Sequence, residues 1–196
     1  MSKLIIFNKP FQVLSQFTDD SGKQTLSDYI EIKAVYPAGR LDYDSEGLML
    51  LTDDGQLQAQ ISDPKYKLSK TYWVQVEGTA SVTQCQALLE GVILKDGLAI
   101  AQSCQLMSEP PIWARVPPIR VRKAIPDSWI EVVINEGRNR QIRRMTAAVN
   151  LPTLRLVRAK VGNWALGELK PGDHRIETVA SPARNSDDRA NKPFRK

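Results

Sequence analysis

The sequence predicts an α+β fold, with a mixed, mostly antiparallel sheet and flanking helices. Short apolar, β-branched runs alternate with short helical patterns, without the regular strand–helix–strand spacing of a parallel sheet. Turn signals punctuate the chain, with Asp53-Asp54-Gly55 and Asp96-Gly97 the plainest. At 196 residues, 42% hydrophobic and 25% charged, the chain suits one soluble globular unit that can bury a sizeable core.

Leu4 to Pro10 (LIIFNKP) reads as a strand ended by Pro10, which removes a donor and fixes its own backbone angle. Ser27 to Ile30 is expected as a short helix and Val35 to Leu41 as extended chain. Asp42 to Gly47 reads as a loop, and the compact apolar run Leu48 to Thr52 as a buried strand. After the turn at 53–55 a short helix runs through Ile61 and stops near Asp63-Pro64. Lys70 to Glu77 (KTYWVQVE) alternates and is rich in aromatic and β-branched residues, a strand signature. Ser81 with Gln84 three residues on forms a capping-box pattern, so a helix is expected to Glu90 with Gly91 as its cap. Val92 to Ile100 reads as a hairpin turned at Asp96-Gly97.

Glu109 to Pro118, with four prolines, is expected as a loop, and Trp129 to Asn135 as a strand. The segment RNRQIRRMTAAVNL then takes helical period: Ile142, Met145 and Val149 fall at i, i+3 and i+7 and define an apolar stripe. Arg140 and Arg144 point to the opposite side, with Arg143 at the edge of the stripe. Leu154 to Val161 is another strand, and Gly162 to Val179 holds one or two short ones. From about Ala180 the chain (SPARNSDDRANKPFRK) is expected as a disordered basic tail, so the folded domain spans 1–179 and the tail 180–196.

Charge is distributed unevenly. Residues 1–112 carry 9 Lys/Arg against 14 Asp/Glu, whereas residues 113–160 carry 11 against 3. Arginine-rich clustering is the footprint of a polyanion partner, with an incidentally charged solvated face as the alternative. The two cysteines, Cys85 and Cys104, show no CxxC spacing, and the one histidine, His174, sits in a PGDHR turn. That argues against a disulfide framework and against zinc. The first apolar run is too short for a secretory signal, and no stretch approaches the roughly 20 apolar residues that span a bilayer. A cytoplasmic location without membrane contact is the expectation.

The segment GRLDYDSEGLMLLTDDG, residues 39–55, places Asp42 in a loop between two apolar extended runs, with Arg40 two residues before it. A carboxylate at a sheet end can serve catalysis, and it can equally make the hydrogen bonds of a turn. Both readings stay open on the residues alone. Asp44, Glu46, Asp53 and Asp54 read as turn and surface residues.

GRLD followed three residues later by Ser-x-Gly-Leu resembles the catalytic motif of the pseudouridine synthase family. Lys70-Thr71-Tyr72 resembles the family's second motif, and Glu136 to Met145 (EGRNRQIRRM) its third. Leu156-Val157-Arg158 with Val161-Gly162 resembles the next, and LGELKPGDHR near the C-terminus also fits. Their order is that of the branch acting on small- and large-subunit ribosomal RNA, and the resemblance covers residues 4–179.

The resemblance implies the family's catalytic fold with a central active-site cleft, and isomerisation of a uridine in large-subunit (23S) ribosomal RNA by a monomer, with no cofactor and no metal. It makes Asp42 the catalytic carboxylate, Arg143 the cation that keeps it ionised, and Tyr72 the active-site tyrosine. Leu156 matches a hydrophobic wall. Arg40, Lys70, Arg138, Arg140, Arg144 and Arg158 are the expected substrate-binding residues. For Arg143 a phosphate contact is the alternative, and for Tyr72 a place in the core. Many members open with a small RNA-binding domain that this sequence does not show. The basic loop 115–123, the arginine helix and the tail are expected to replace it. A non-catalytic RNA-binding module and a metal-dependent hydrolase using Asp42, Asp44 and Glu46 are the rival readings.

Overall fold

The computed structural model describes residues 1–119 and 124–181. Arg120, Arg122 and Lys123 of the expected basic loop, and residues 182–196 of the expected tail, lie outside the described residues.

One sheet organises the chain. In chain order its strands are β1 (Ser2–Lys9), β2 (Tyr36–Pro37), β3 (Glu46–Thr52), β4 (Lys70–Glu77), β7 (Ser103–Met107), β8 (Asp127–Ile134), β9 (Thr153–Val161), β10 (Trp164–Ala165) and β11 (His174–Val179). A separate hairpin pairs β5 (Val92–Leu94) with β6 (Gly97–Ala99). The helices are α1 (Gly55–Ser62), α2 (Val82–Glu90) and α3 (Gln141–Ala148). Spatial order is β11-β1-β3-β9-β4-β8-β7, with β2 added to β3 and β10 to β9. Every pairing among the described strands is antiparallel except β3 with β9. The α+β class and the mostly antiparallel mixed sheet are as the sequence predicts.

The sheet is covered on both faces, which explains why β1 and β3 read as unbroken apolar runs. Alternate residues divide between two cores. Ile5, Phe7, Met49, Leu51, Val74 and Ile130 pack with Cys85 and Leu88 of α2 and with Ile142 and Met145 of α3. Leu4, Ile6, Leu48, Leu50 and Val157 pack on the other face with Leu57 and Ile61 of α1. Asp54 caps α1 by accepting from the Gln56 and Leu57 amides, and the Ser81–Gln84 capping box opens α2 as predicted. No helix among the described residues is long and apolar enough to cross a membrane.

Two local expectations need correction. β7 was not anticipated: it is an edge strand whose side chains are mostly exposed, so Ser-Cys-Gln-Leu-Met shows no buried alternation. The arginine helix begins only at Gln141. Arg140 is its N-cap, in the left-handed region at φ 48°, so it projects from a turn and not from a helical face.

The parallel β3–β9 junction sets the position of everything that follows. Gly47 pairs with Arg158 there at φ +100°, and a Cβ on Gly47 would lie 2.5 Å from the Arg158 carbonyl oxygen. Only glycine allows this approach. On its other side β9 carries an irregularity opposite Thr71 and Tyr72: Thr71 faces Lys160, Tyr72 faces Arg158, and Ala159 is left over. Bulges of this kind re-aim side chains at the end of a sheet.

Candidate active site

Side chains two apart on a strand share a face, and cross-strand partners stand side by side. Lys70 and Tyr72 are therefore neighbours on β4. Arg158 faces Tyr72 across the ladder, and Leu156, two residues before it, faces Val74. The loop ahead of β3 reaches over the same place. Ser45 donates its amide to the Asp42 carbonyl, closing a tight turn, and the Ser15 hydroxyl donates to the Leu41 carbonyl from below. The turn before α3 closes the remaining side.

The result is a cleft of about 140 Å³. Arg40, Asp42, Lys70, Tyr72, Arg138, Arg140, Leu156 and Arg158 all line it, beside Gln141 and Ile142 from the start of α3. Residues spread over some 120 positions of sequence thus converge on one site. Tyr72 (7% exposed) and Leu156 form apolar wall, and Asp42 is half-buried at the end of the loop. Among the described residues, no side chain donates a hydrogen bond to the Asp42 carboxylate.

Arg143 and Arg144 do not line this cleft. Arg143 is 13% exposed, and its guanidinium turns to Asp44: it donates to the Asp44 carbonyl at 2.7 Å and approaches the Asp44 carboxylate at 3.5 Å. Burial lowers its pKa, with the Asp44 charge working against that. Arg140 meets the same carboxylate with two parallel hydrogen bonds of 2.8 and 2.9 Å. Burial works to raise the Asp44 carboxyl, but the Arg140 hydrogen bonds and the Arg143 charge outweigh it and hold it below the usual carboxylate range. Arg144 is paired instead with Asp96 at the hairpin tip, at 2.7 and 3.0 Å. Arg138 is held by Glu136 and by the Gly97 and Leu98 carbonyls.

Asp44 and Glu46 are more than the turn and surface residues that their loop position suggests. Glu46 is 1% exposed and forms a bidentate ion pair with buried Arg155, both contacts at 2.9 Å. The Trp113 indole donates to the same carboxylate at 2.8 Å, and Arg155 donates to the Trp113 carbonyl at 3.0 Å. Through these bonds the proline-rich loop is fastened to the first residue of β3. Arg115 adds contacts to the Pro117 and Pro118 carbonyls and lies 4.2 Å over the Phe11 ring.

Lys9, at the end of β1, is fully buried, and its ammonium donates to the Pro10 and Val13 carbonyls at 2.8 and 2.7 Å. Burial pulls its pKa down to about 7, against the charges of Glu46, Asp44 and Asp42. Lys70 is also lowered, by burial first and by the Arg158 charge second. Among the described residues no three His, Cys, Asp or Glu side chains are grouped to hold a metal ion.

Comparison with known proteins meets this geometry at the same point. Residues 3–148 match the model of a family described as RNA pseudouridylate synthase. The chain is 56% identical over 171 residues to ribosomal large subunit pseudouridine synthase E of Vibrio vulnificus, covering 87% of this chain and 73% of that one. It is 54% identical over 186 residues to the protein of that name from Xanthomonas campestris, covering 92% of this chain and all of the relative. A crystal structure of a pseudouridylate synthase superposes with a TM-score of 0.71 at 28% identity, covering 91% of this chain and 71% of that one. The matched segment contains the Asp42 loop, the β4 tyrosine and the arginine turn, three of the parts that line the cleft, and the chain belongs to the RNA pseudouridylate synthase family.

Proposed function

We propose that this chain isomerises a uridine of large-subunit ribosomal RNA to pseudouridine, with Asp42 as the catalytic carboxylate and no cofactor. The observation that carries the proposal is the shared cleft: a carboxylate, an aromatic ring and an apolar wall meet around a space of about 140 Å³. The relatives' names supply the substrate class, and the arginine-rich rim agrees with it.

The reaction breaks the C1′–N1 bond, turns the uracil and joins C5 to C1′. Nothing is oxidised or hydrolysed. Asp42 supplies negative charge, or a bond, to the electron-poor sugar carbon. Tyr72 supports the everted ring with its face and offers its hydroxyl for proton transfer at C5. Leu156 closes the apolar side. Eversion of a base costs a few kcal/mol, which phosphate contacts at the rim offset. Arg40 and Arg140 are the exposed cations placed for that. In this reading Arg143 acts through Asp44, holding the start of α3 against the Asp42 loop. The chain is read as a cytoplasmic monomer.

Mapping pseudouridines in ribosomal RNA from cells with and without this protein tests the reading. Loss of one large-subunit pseudouridine without the protein, restored by its expression, is the expected result. An unchanged map would refute it.

A further inference from the structure

The cleft holds more positive charge than its carboxylates account for. Arg158 is 4% exposed, yet among the described residues its guanidinium donates only to main-chain oxygens, those of Leu48 at 2.7 Å and Arg40 at 3.5 Å. Lys70 donates to the Leu68 carbonyl at 2.9 Å and meets no carboxylate within salt-bridge distance among the described residues. These two cations are close enough for the Arg158 charge to act on Lys70. Burying like charges together without a counter-ion is costly, and an anion arriving between them would relieve that cost. Both side chains line the same cleft as Asp42, on the face that carries Tyr72 and Leu156.

A phosphodiester is a poor fit for this place. It keeps its hydration best at the rim, where exposed Arg40 and Arg140 stand. The interior, walled by Tyr72 and Leu156, suits a flat ring. The anion that forms inside is the ring itself. When the C1′–N1 bond breaks, its electron pair stays with the uracil and spreads over N1, O2 and O4.

We propose that Lys70, backed by Arg158, is a catalytic residue that stabilises this uracil anion by donating to a ring oxygen as the glycosidic bond breaks. No proton changes owner in that step. C1′ is left electron-poor towards Asp42. When C5 then bonds to C1′, the C5 proton leaves, N1 takes one up, and product and substrate have the same formula. Preorganised donors aimed at developing charge in a water-poor site are worth more than the same donors in water.

The proposal rests on the uridine-isomerising reading, and the test separates the two. RNA carrying uridine, and the same RNA carrying 5-fluorouridine at the target, are compared under single turnover for the wild type, Lys70→Met and Lys70→Arg. RNA affinity is measured in parallel. Lys70→Met is expected to lose about a hundredfold in the rate of uridine consumption, as for loss of one such donor, with RNA affinity close to wild type. Lys70→Arg keeps the charge and recovers most of the rate. Fluorine already stabilises the ring anion, so on 5-fluorouridine the Lys70→Met loss shrinks by about tenfold. Should Lys70→Met fail to fold, Lys70→Gln carries the same comparison. An equal loss on both substrates, or a loss confined to RNA affinity and its salt dependence, overturns the role of Lys70. Neither result touches the main reading, which an inactive Asp42→Asn supports independently.

Discussion

The Asp44 carboxylate grips the Arg140 guanidinium with both oxygens, at 2.8 and 2.9 Å, two residues beyond Asp42 and one before the first residue of α3. One carboxylate thereby ties the Asp42 loop to the turn that closes the cleft, and Arg143 joins it from the first turn of the helix. Because the Arg140 pair is substantially exposed, and Arg143 keeps its 2.7 Å bond to the Asp44 main-chain carbonyl when the carboxylate is lost, removal of the charge should cost about 1 kcal/mol of stability. Its effect on geometry should be larger.

Asp44→Asn is therefore expected to melt within a few degrees of wild type while its single-turnover rate falls by about ten- to a hundredfold, the scale of a small misplacement of reacting groups. Thermal unfolding and a rapid-quench assay on the same preparation check this. A wild-type rate would show that the clasp is incidental.

Glu46 presents the opposite case, since its pair with Arg155 is buried. Glu46→Gln leaves the Arg155 charge uncompensated and should lower unfolding free energy by about 3–5 kcal/mol in urea titration. Replacing both residues by methionine should recover much of that loss. A single substitution costing under about 1 kcal/mol would contradict the pairing.

Lys9 gives a pH signature. Its folded pKa is about 7, below the ordinary 10.5, so between those values the unfolded chain binds a proton that the folded chain does not. The Lys9 contribution to stability therefore rises with pH across that window, at up to about 1.4 kcal/mol per pH unit, and is flat below it. Subtracting the unfolding profile of Lys9→Met from that of the wild type should reveal this rise between pH 7 and 10. A flat difference curve would mean that the ammonium stays charged when folded.

What the sequence made legible, and what it hid, follows from how far each signal reaches. Alternation and capping are local, so β4, the Ser81–Gln84 cap and the β5–β6 hairpin were readable, although the hairpin turns at Lys95-Asp96, one residue before the expected Asp96-Gly97, and Gly97 opens β6. The motifs brought Asp42, Tyr72, Leu156 and Arg158 to one cleft because each sits at a fixed place on a strand or its loop. The ion pairs were not readable. Arg140 finds Asp44 across 96 positions, Arg144 finds Asp96 across 48, and Arg155 finds Glu46 across 109. None of these partners stands at helical spacing, the one kind of ion pair that a linear pattern shows. The burial of Glu46 was hidden for the same reason: a glutamate after a serine in a loop gives no sign that an arginine and a tryptophan will close over it.

Uridine isomerisation in this cleft depends most directly on the carboxylate of Asp42. Asp42→Asn keeps the shape of the side chain and removes its charge, so the variant should fold and bind the RNA substrate with near wild-type affinity. Assayed under single turnover on that RNA, it is predicted to form no detectable pseudouridine. Pseudouridine formation at the wild-type rate would contradict the central claim.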